Sequence, residues 1–172
     1  RMLNSLSLDY RHQEQGDRWV YENRTYGIRF AYPKSWLQAA ANPDQGMAAR
    51  FFVSEDGLPS NRWRGSQENL GVGVLRDSRT PEMFKQQFME GRFIRAKGFR
   101  VEDVQETVLA GHPGYRIVFA YDESEAVRIR EIIVFTIVDG MRYSLYYFPI
   151  HEERLPVIQQ VIDSFEIFEP AS

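Results

Sequence analysis

Apolar residues recur at every second position over much of the chain and at every third or fourth in two stretches, which predicts strands interrupted by two helices. Ile28, Phe30 and Tyr32 alternate with Gly27, Arg29 and Ala31, so Gly27 to Tyr32 reads as a strand with one apolar face. Trp19 to Glu22 reads as a shorter strand before it, and Pro33 ends the second because proline cannot donate to a ladder. Trp36 and Leu37 form a short buried anchor, a turn follows at Asn42, Pro43 and Asp44, and Met47 to Val53 resumes as a strand. From Ser54 to Asn69 the chain is polar around Gly57, Pro59 and Gly65, a long loop of the kind that carries function or moves. Leu70 to Leu75 is strand-like again, and its Gly71 and Gly73 predict close approach of another backbone or side chain.

Thr80, Pro81 and Glu82 make a helix start, with a capping hydroxyl, proline in the first turn and an acid at the positive dipole end. Met83, Phe84 and Phe88 give this helix an apolar face. Gly98 and Phe99 read as its C-cap, placing the end near Ala96, with Gly91 bending or weakening the middle. Arg100 to Leu109 then leads through a turn at Ala110 to Gly114 into Tyr115 to Tyr121. The acidic turn Asp122 to Glu125 connects to Ala126 to Val138, whose second half is apolar on both faces and predicts a central strand covered on both sides. Asp139-Gly140 signals a two-residue hairpin into Met141 to Phe148. Leu155, Ile158, Ile162 and Phe165 repeat at helical spacing, and Phe165 to Phe168 closes the domain. Helix, antiparallel strands and helix in this order suggest an antiparallel sheet with helices on its faces.

The chain has 172 residues, 43% of them apolar and 14% aromatic, which is enough for one sizeable core. Residues 1–18 read as a polar N-terminal arm, residues 19–168 as one domain and residues 169–172 as a tail. No apolar run reaches the roughly 20 residues that a membrane-spanning helix needs. The formal net charge of −3 argues against general nucleic-acid binding, which depends on Lys and Arg neutralising phosphates. The absence of cysteine removes disulfides, thiolate metal sites and thiol nucleophiles without deciding a compartment. Basic residues are 18 Arg and 3 Lys, a bias with little functional meaning. Residues 1–18 are not a signal peptide. An arginine ahead of Met2 fits either a natural start at Met2, hence a cytoplasmic protein, or a mature segment whose signal or lipid anchor lies upstream, hence an exported one.

Catalytic constellations are not evident. His12 lies in the polar arm and His112 in a glycine-flanked turn, where both read as exposed turn residues. His151, Glu152 and Glu153 form the most metal-like run, although acids also gather at helix N-termini for the sake of the dipole. Asp122 to Glu125 lacks the glycine and spacing of an EF-hand, and Gly71-Val72-Gly73 completes neither a dinucleotide motif nor a P-loop. No cofactor is implied. Arg62-Trp63-Arg64, a tryptophan between two arginines in a polar loop, has the composition of a binding hot spot, unless Trp63 folds back to cover the sheet. Tyr146 and Phe148, with Tyr143 and Tyr147, either line a groove or serve the core.

The run Tyr26-Gly27-Ile28-Arg29-Phe30-Ala31-Tyr32-Pro33-Lys34-Ser35-Trp36 resembles the opening of PsbP-like domains. The resemblance continues through the Thr80 helix, the Gly111 to Tyr115 hairpin and Gly140 to Phe148, and ends at Ile162-Asp163-Ser164-Phe165, covering about Trp19 to Phe168. The wider superfamily includes DcrB-like bacterial proteins and a Ran-binding nuclear import factor. The resemblance implies an α+β fold, an α/β/α sandwich with a central antiparallel sheet flanked by helices. It also implies a non-enzymatic domain that binds or stabilises a protein partner, exported and tethered to a membrane through an anchor outside this chain. The basic amino-terminal segment associated with PsbP is not evident in residues 1–18. A cytoplasmic adaptor, and a small-ligand carrier or enzyme in a cleft between sheet and helix, are the alternatives.

Overall fold

Tyr21, Phe30, Tyr32 and Phe51 meet in one aromatic cluster, with Phe51 5.9, 5.6 and 4.5 Å from the other three ring centroids in turn. They meet because the strands that carry them belong to two different sheets. The computed structural model describes residues 10–39, 41, 46–53, 68–94, 96–148 and 150–170. In chain order it has β1 (Tyr10–Gln15), β2 (Arg18–Asn23), β3 (Ile28–Pro33), β4 (Leu37–Ala39), β5 (Met47–Phe52), β6 (Asn69–Arg76), α1 (Pro81–Met89), β7 (Arg100–Leu109), β8 (His112–Asp122), β9 (Arg128–Val138), β10 (Met141–Phe148), a 3-10 turn (Glu152–Arg154), α2 (Leu155–Asp163) and β11 (Glu166–Ile167). A four-stranded sheet runs β1-β2-β3-β11 and a seven-stranded sheet runs β4-β5-β6-β10-β9-β8-β7. Every pairing between neighbouring strands is antiparallel.

One face of the larger sheet, carrying Leu70, Val72, Val134, Leu145 and Tyr147, shares a core with Tyr21, Ile28 and Phe30 of the small sheet and with Ile158, Val161 and Ile162 of α2. The opposite face carries Tyr115, Ile117, Phe119, Ile133 and Phe135, covered by Phe84 and Phe88 of α1. Strand β9 therefore contributes Ile132 and Val134 to one core and Ile133 and Phe135 to the other, as expected of a central strand covered on both sides.

The helix-flanked α/β/α sandwich is not what forms. Among the described residues there are two α-helices of nine residues each, and strands dominate. The second face of the main sheet is covered largely by another sheet, with α2 beside it. Alternation along β3 gives its apolar face of Ile28, Phe30 and Tyr32, but a period of two is the same whether strands join one sheet or pack across from it. The polar N-terminal stretch contributes a strand. Tyr10–Gln15 pairs with β2 in unbroken register from Tyr10↔Asn23 to Gln15↔Arg18. An edge strand exposed along Arg11 to Gln15 needs no apolar alternation, which is why periodicity is silent there.

The first helix begins as expected, with the Thr80 hydroxyl accepting from the Met83 backbone N–H at 3.2 Å. It ends seven residues before the expected Ala96. Gly91 has φ of +71°, and the N–H groups of Gly91 and Arg92 bond the carbonyls of Phe88 and Gln87 at 2.9 and 3.1 Å. That is a Schellman closure, in which a left-handed glycine turns the chain back on the last carbonyls. Both two-residue hairpins, Ala110-Gly111 and Asp139-Gly140, have positive φ at each residue, the backbone of tight turns whose twist matches that of the flanking strands.

Candidate functional site

Helix α1 is short and lies over β8 and β9, with Phe84 reaching Arg142 at one end of β10, so among the described residues it does not extend over β6 and the Phe148 end of β10. There the register sets Gly71 opposite Tyr146, Gly73 opposite Ser144 and Asn69 opposite Phe148. A trough of about 260 Å³ results, bordered by Met47, Leu75, Tyr146 and Phe148. Its two glycines differ. A Cβ on Gly73 would stand 2.9 Å from Ser144 Oγ and 3.3 Å from the Tyr146 ring, so that glycine admits Tyr146. A Cβ on Gly71 would have only Met47 Cε within 4 Å, at 3.9 Å, so that glycine leaves open space.

Beside the trough, between α1 and the sheet, lies a cleft of about 290 Å³. Phe84, Phe88, Phe93 and Ile94 form its helix side, and Phe119, Tyr121, Glu131, Arg142 and Tyr146 its sheet side. Glu131 and Tyr146 border both cavities. Glu131 shares its face of β9 with Ile133 and Phe135, and it is 9% exposed. Burial pushes its carboxyl up to about 8 against the opposing effect of a hydrogen bond with the Tyr121 hydroxyl. The same burial, together with the Glu131 and Glu123 charges, raises the Tyr121 phenol to about 12.

At the other end of the cleft the Asp77 carboxylate serves two cations. Arg79 reaches it through Nε at 2.7 Å and Nη2 at 2.6 Å, and Arg142 through Nη1 at 3.3 Å. Desolvation would raise the Asp77 carboxyl, but the hydrogen bonds and charges of Arg79, with Arg142, hold it below its usual value. The Phe84 ring has both guanidiniums nearby, at 4.9 Å for Arg79 and 4.3 Å for Arg142, and stacks on Phe93 at 4.9 Å. Cations and ring quadrupoles at these separations attract one another.

Residues 10–167 of the chain match the PsbP-like protein family. The chain belongs to that family. This PsbP-like protein is similar in fold to cyanobacterial PsbP (CyanoP) from Synechocystis, with a TM-score of 0.63 and 15% identity over 90% of this chain and 95% of that one. LpqN, a protein involved in cell envelope biogenesis of Mycobacterium tuberculosis, aligns with a TM-score of 0.55 and 13% identity over 81% of this chain and 82% of its own. A Bacteroides thetaiotaomicron protein aligns with a TM-score of 0.57 and 11% identity over 90% of this chain and 49% of its own. At these identities the likeness speaks for the fold. Comparison with curated proteins returned no match.

Of the residues the sequence singled out in this PsbP-like protein, Tyr146 and Phe148 both border the trough. Arg62, Trp63 and Arg64 lie outside the described residues. His151, Glu152 and Glu153 are exposed, and Glu152 is engaged by Arg130 at 3.0 Å, while His151 Nδ1 is 3.8 Å from Glu153. No group of three or more potential metal ligands stands together among the described residues. His12 is not a free arm residue: its Nδ1 and the Tyr32 hydroxyl are 2.7 Å apart, and its Nε2 is 2.8 Å from Gln38 Oε1. Glu131 and Arg142 were not anticipated. The signal for Glu131 was its place in the alternation with Ile129 and Ile133, an acid where the pattern calls for an apolar side chain. No helix among the described residues is long and apolar enough to cross a membrane.

Proposed function

We propose that this PsbP-like protein is a non-enzymatic accessory domain that works outside the cytoplasm and holds a protein partner through the trough over β6 and β10. The observation that carries the reading is the open space above Gly71, walled by Met47, Leu75 and Phe148, on a sheet face that α1 leaves bare. A recess of this size takes one large apolar side chain, and partner binding commonly concentrates on such an anchor seated in a pocket. The occupant is an apolar side chain projecting from a partner protein. The extracytoplasmic setting is supported by analogy with LpqN, described as acting in cell envelope biogenesis.

A photo-crosslinking amino acid placed at Phe148, and at the exposed Val108 on β7 as control, tests this in the source cells. Phe148 should give one discrete adduct that disappears when Gly71→Leu fills the trough, with no adduct from Val108. Equal adducts from both positions, no adduct from Phe148, or indifference to Gly71→Leu in a folded protein would overturn the reading.

A further inference from the structure

We infer that the cleft between α1 and the main sheet is a binding site for a small aromatic molecule bearing one negative charge, its anion at Arg142 and its ring among Phe84, Phe93 and Tyr146. At about 290 Å³ the cleft stands at the lower edge of small-molecule pockets, which begin at roughly 300 Å³. Its walls are mostly aromatic, and offset or edge-on ring contacts favour a planar guest over a flexible chain.

The charge of the guest follows from the groups around the cleft. Asp77 supplies one carboxylate for two guanidiniums, those of Arg79 and Arg142, so among the described residues that end of the cleft keeps one positive charge. Glu131 does not cancel it, because burial keeps that carboxyl protonated at neutral pH. The Arg142 side chain is only 10% exposed, and its Nε has no hydrogen-bond partner among the described residues. A guanidinium this buried is costly unless its remaining donors are met, and its single bond to Asp77, at 3.3 Å, is long for a charged pair. A carboxylate or similar anion entering beside Phe93 would complete the pairing. Phe93, at 43% exposure, forms the accessible rim. The protonated Glu131 at the far end, with Tyr121, offers a donor to a polar substituent on the ring.

Titration of the full chain followed by amide NMR shifts tests the site, with 2-naphthoate as probe, 2-naphthylmethanol as its uncharged analogue and decanoate as a flexible anion. Saturable shifts confined to α1, residues 90–94 and β10 are expected for 2-naphthoate, at least tenfold tighter than for 2-naphthylmethanol and tighter than for decanoate. Arg142→Gln should erase the preference for the anion. Because Arg142 also helps to hold Asp77, Phe93→Glu is the second variant: it sets an anion at the exposed rim and should abolish naphthoate binding while the spectrum remains that of a folded protein. Phe148→Ala, which alters the trough at a residue that does not line the cleft, should leave naphthoate binding unchanged, which separates this site from partner docking. Equal affinity for the charged and uncharged probes, tighter binding of decanoate, shifts scattered over the surface, or naphthoate binding that survives Phe93→Glu would each overturn the inference.

Discussion

The Arg142 guanidinium stands 4.3 Å from the centroid of the Phe84 ring, which joins β10 to α1 through a cation and an aromatic face. Its other attachment is the Asp77 carboxylate, whose side chain is 3% exposed. Strand β10, helix α1 and the segment that joins β6 to α1 are therefore locked by one charge cluster, and that cluster also ends the cleft.

Asp77→Asn should be severely destabilising, because it strands two guanidiniums of which Arg142 is nearly buried. Removing one partner of a buried pair typically costs about 3 to 5 kcal/mol, more than the pair itself contributes. Urea unfolding should show this loss, and Asp77→Asn combined with Arg142→Met should recover part of it. A loss below about 1 kcal/mol would mean that the cluster is solvated and contributes as surface pairs do. Since Asp77 titrates below its usual value in the folded chain, its contribution is present at neutral pH and lost as acid takes the pH down through that lowered value.

Glu131 has the opposite sign. Its carboxyl titrates near 8 when folded and near 4.5 when exposed, so between these values the folded chain holds a proton that the unfolded chain has released. Its contribution is complete below about 4.5 and declines as pH rises through 8, by up to about 1.4 kcal/mol per pH unit within that window. Glu131→Gln keeps the shape and removes the titration. Urea midpoints measured from pH 5 to pH 9 should fall in the native chain and stay flatter in the variant, so that the variant gains most at high pH. Parallel curves would mean that the carboxyl is hydrated and ionised in the folded state.

Much of the strand order in sequence was legible, and the sheet partition was not. Asp139-Gly140, the two-faced apolar run in β9 and the Thr80 cap each report a local requirement, and each appears where its residues stand. The helix end was misplaced because two glycines, Gly91 and Gly98, both adopt positive φ and both could close a helix; nothing in the local pattern ranks them. Strand β1 was missed because its residues are polar and its only regularity is a backbone ladder with β2. Of the candidate site, the aromatic wall at Tyr146 and Phe148 was visible as excess ring content in one strand. The trough itself depends on β6 pairing with β10 across about seventy residues of sequence, a relation that spacing along the chain does not contain.

The two glycines of β6 should respond in opposite ways to the same substitution. Gly73→Ala forces a Cβ to within 2.9 Å of Ser144 Oγ and 3.3 Å of the Tyr146 ring, an overpacking that costs roughly 1 to 3 kcal/mol and displaces Tyr146. Gly71→Ala meets only Met47 at 3.9 Å in an ordinary extended backbone, so it should be neutral or stabilising by a few tenths of a kcal/mol to about 1 kcal/mol. Denaturant midpoints of the two variants decide the matter; equal losses would mean that no open space stands above Gly71.

Gly91 ends α1 by turning left-handed, so its replacement tests whether that closure sets the shape of the cleft. At φ of +71° a Cβ would approach the Phe99 ring no closer than 3.4 Å, which leaves conformation as the main cost. An L-residue pays roughly 1 to 2 kcal/mol in the left-handed region, and asparagine less than alanine. Gly91→Ala should therefore lose stability in that range and Gly91→Asn should lose less. The Phe93 and Ile94 amide shifts should move with the loss, because both residues follow directly from the closure onto Phe84 and the cleft. An alanine variant as stable as the native chain would mean that the helix can run on past Met89 and that the cleft has no fixed rim.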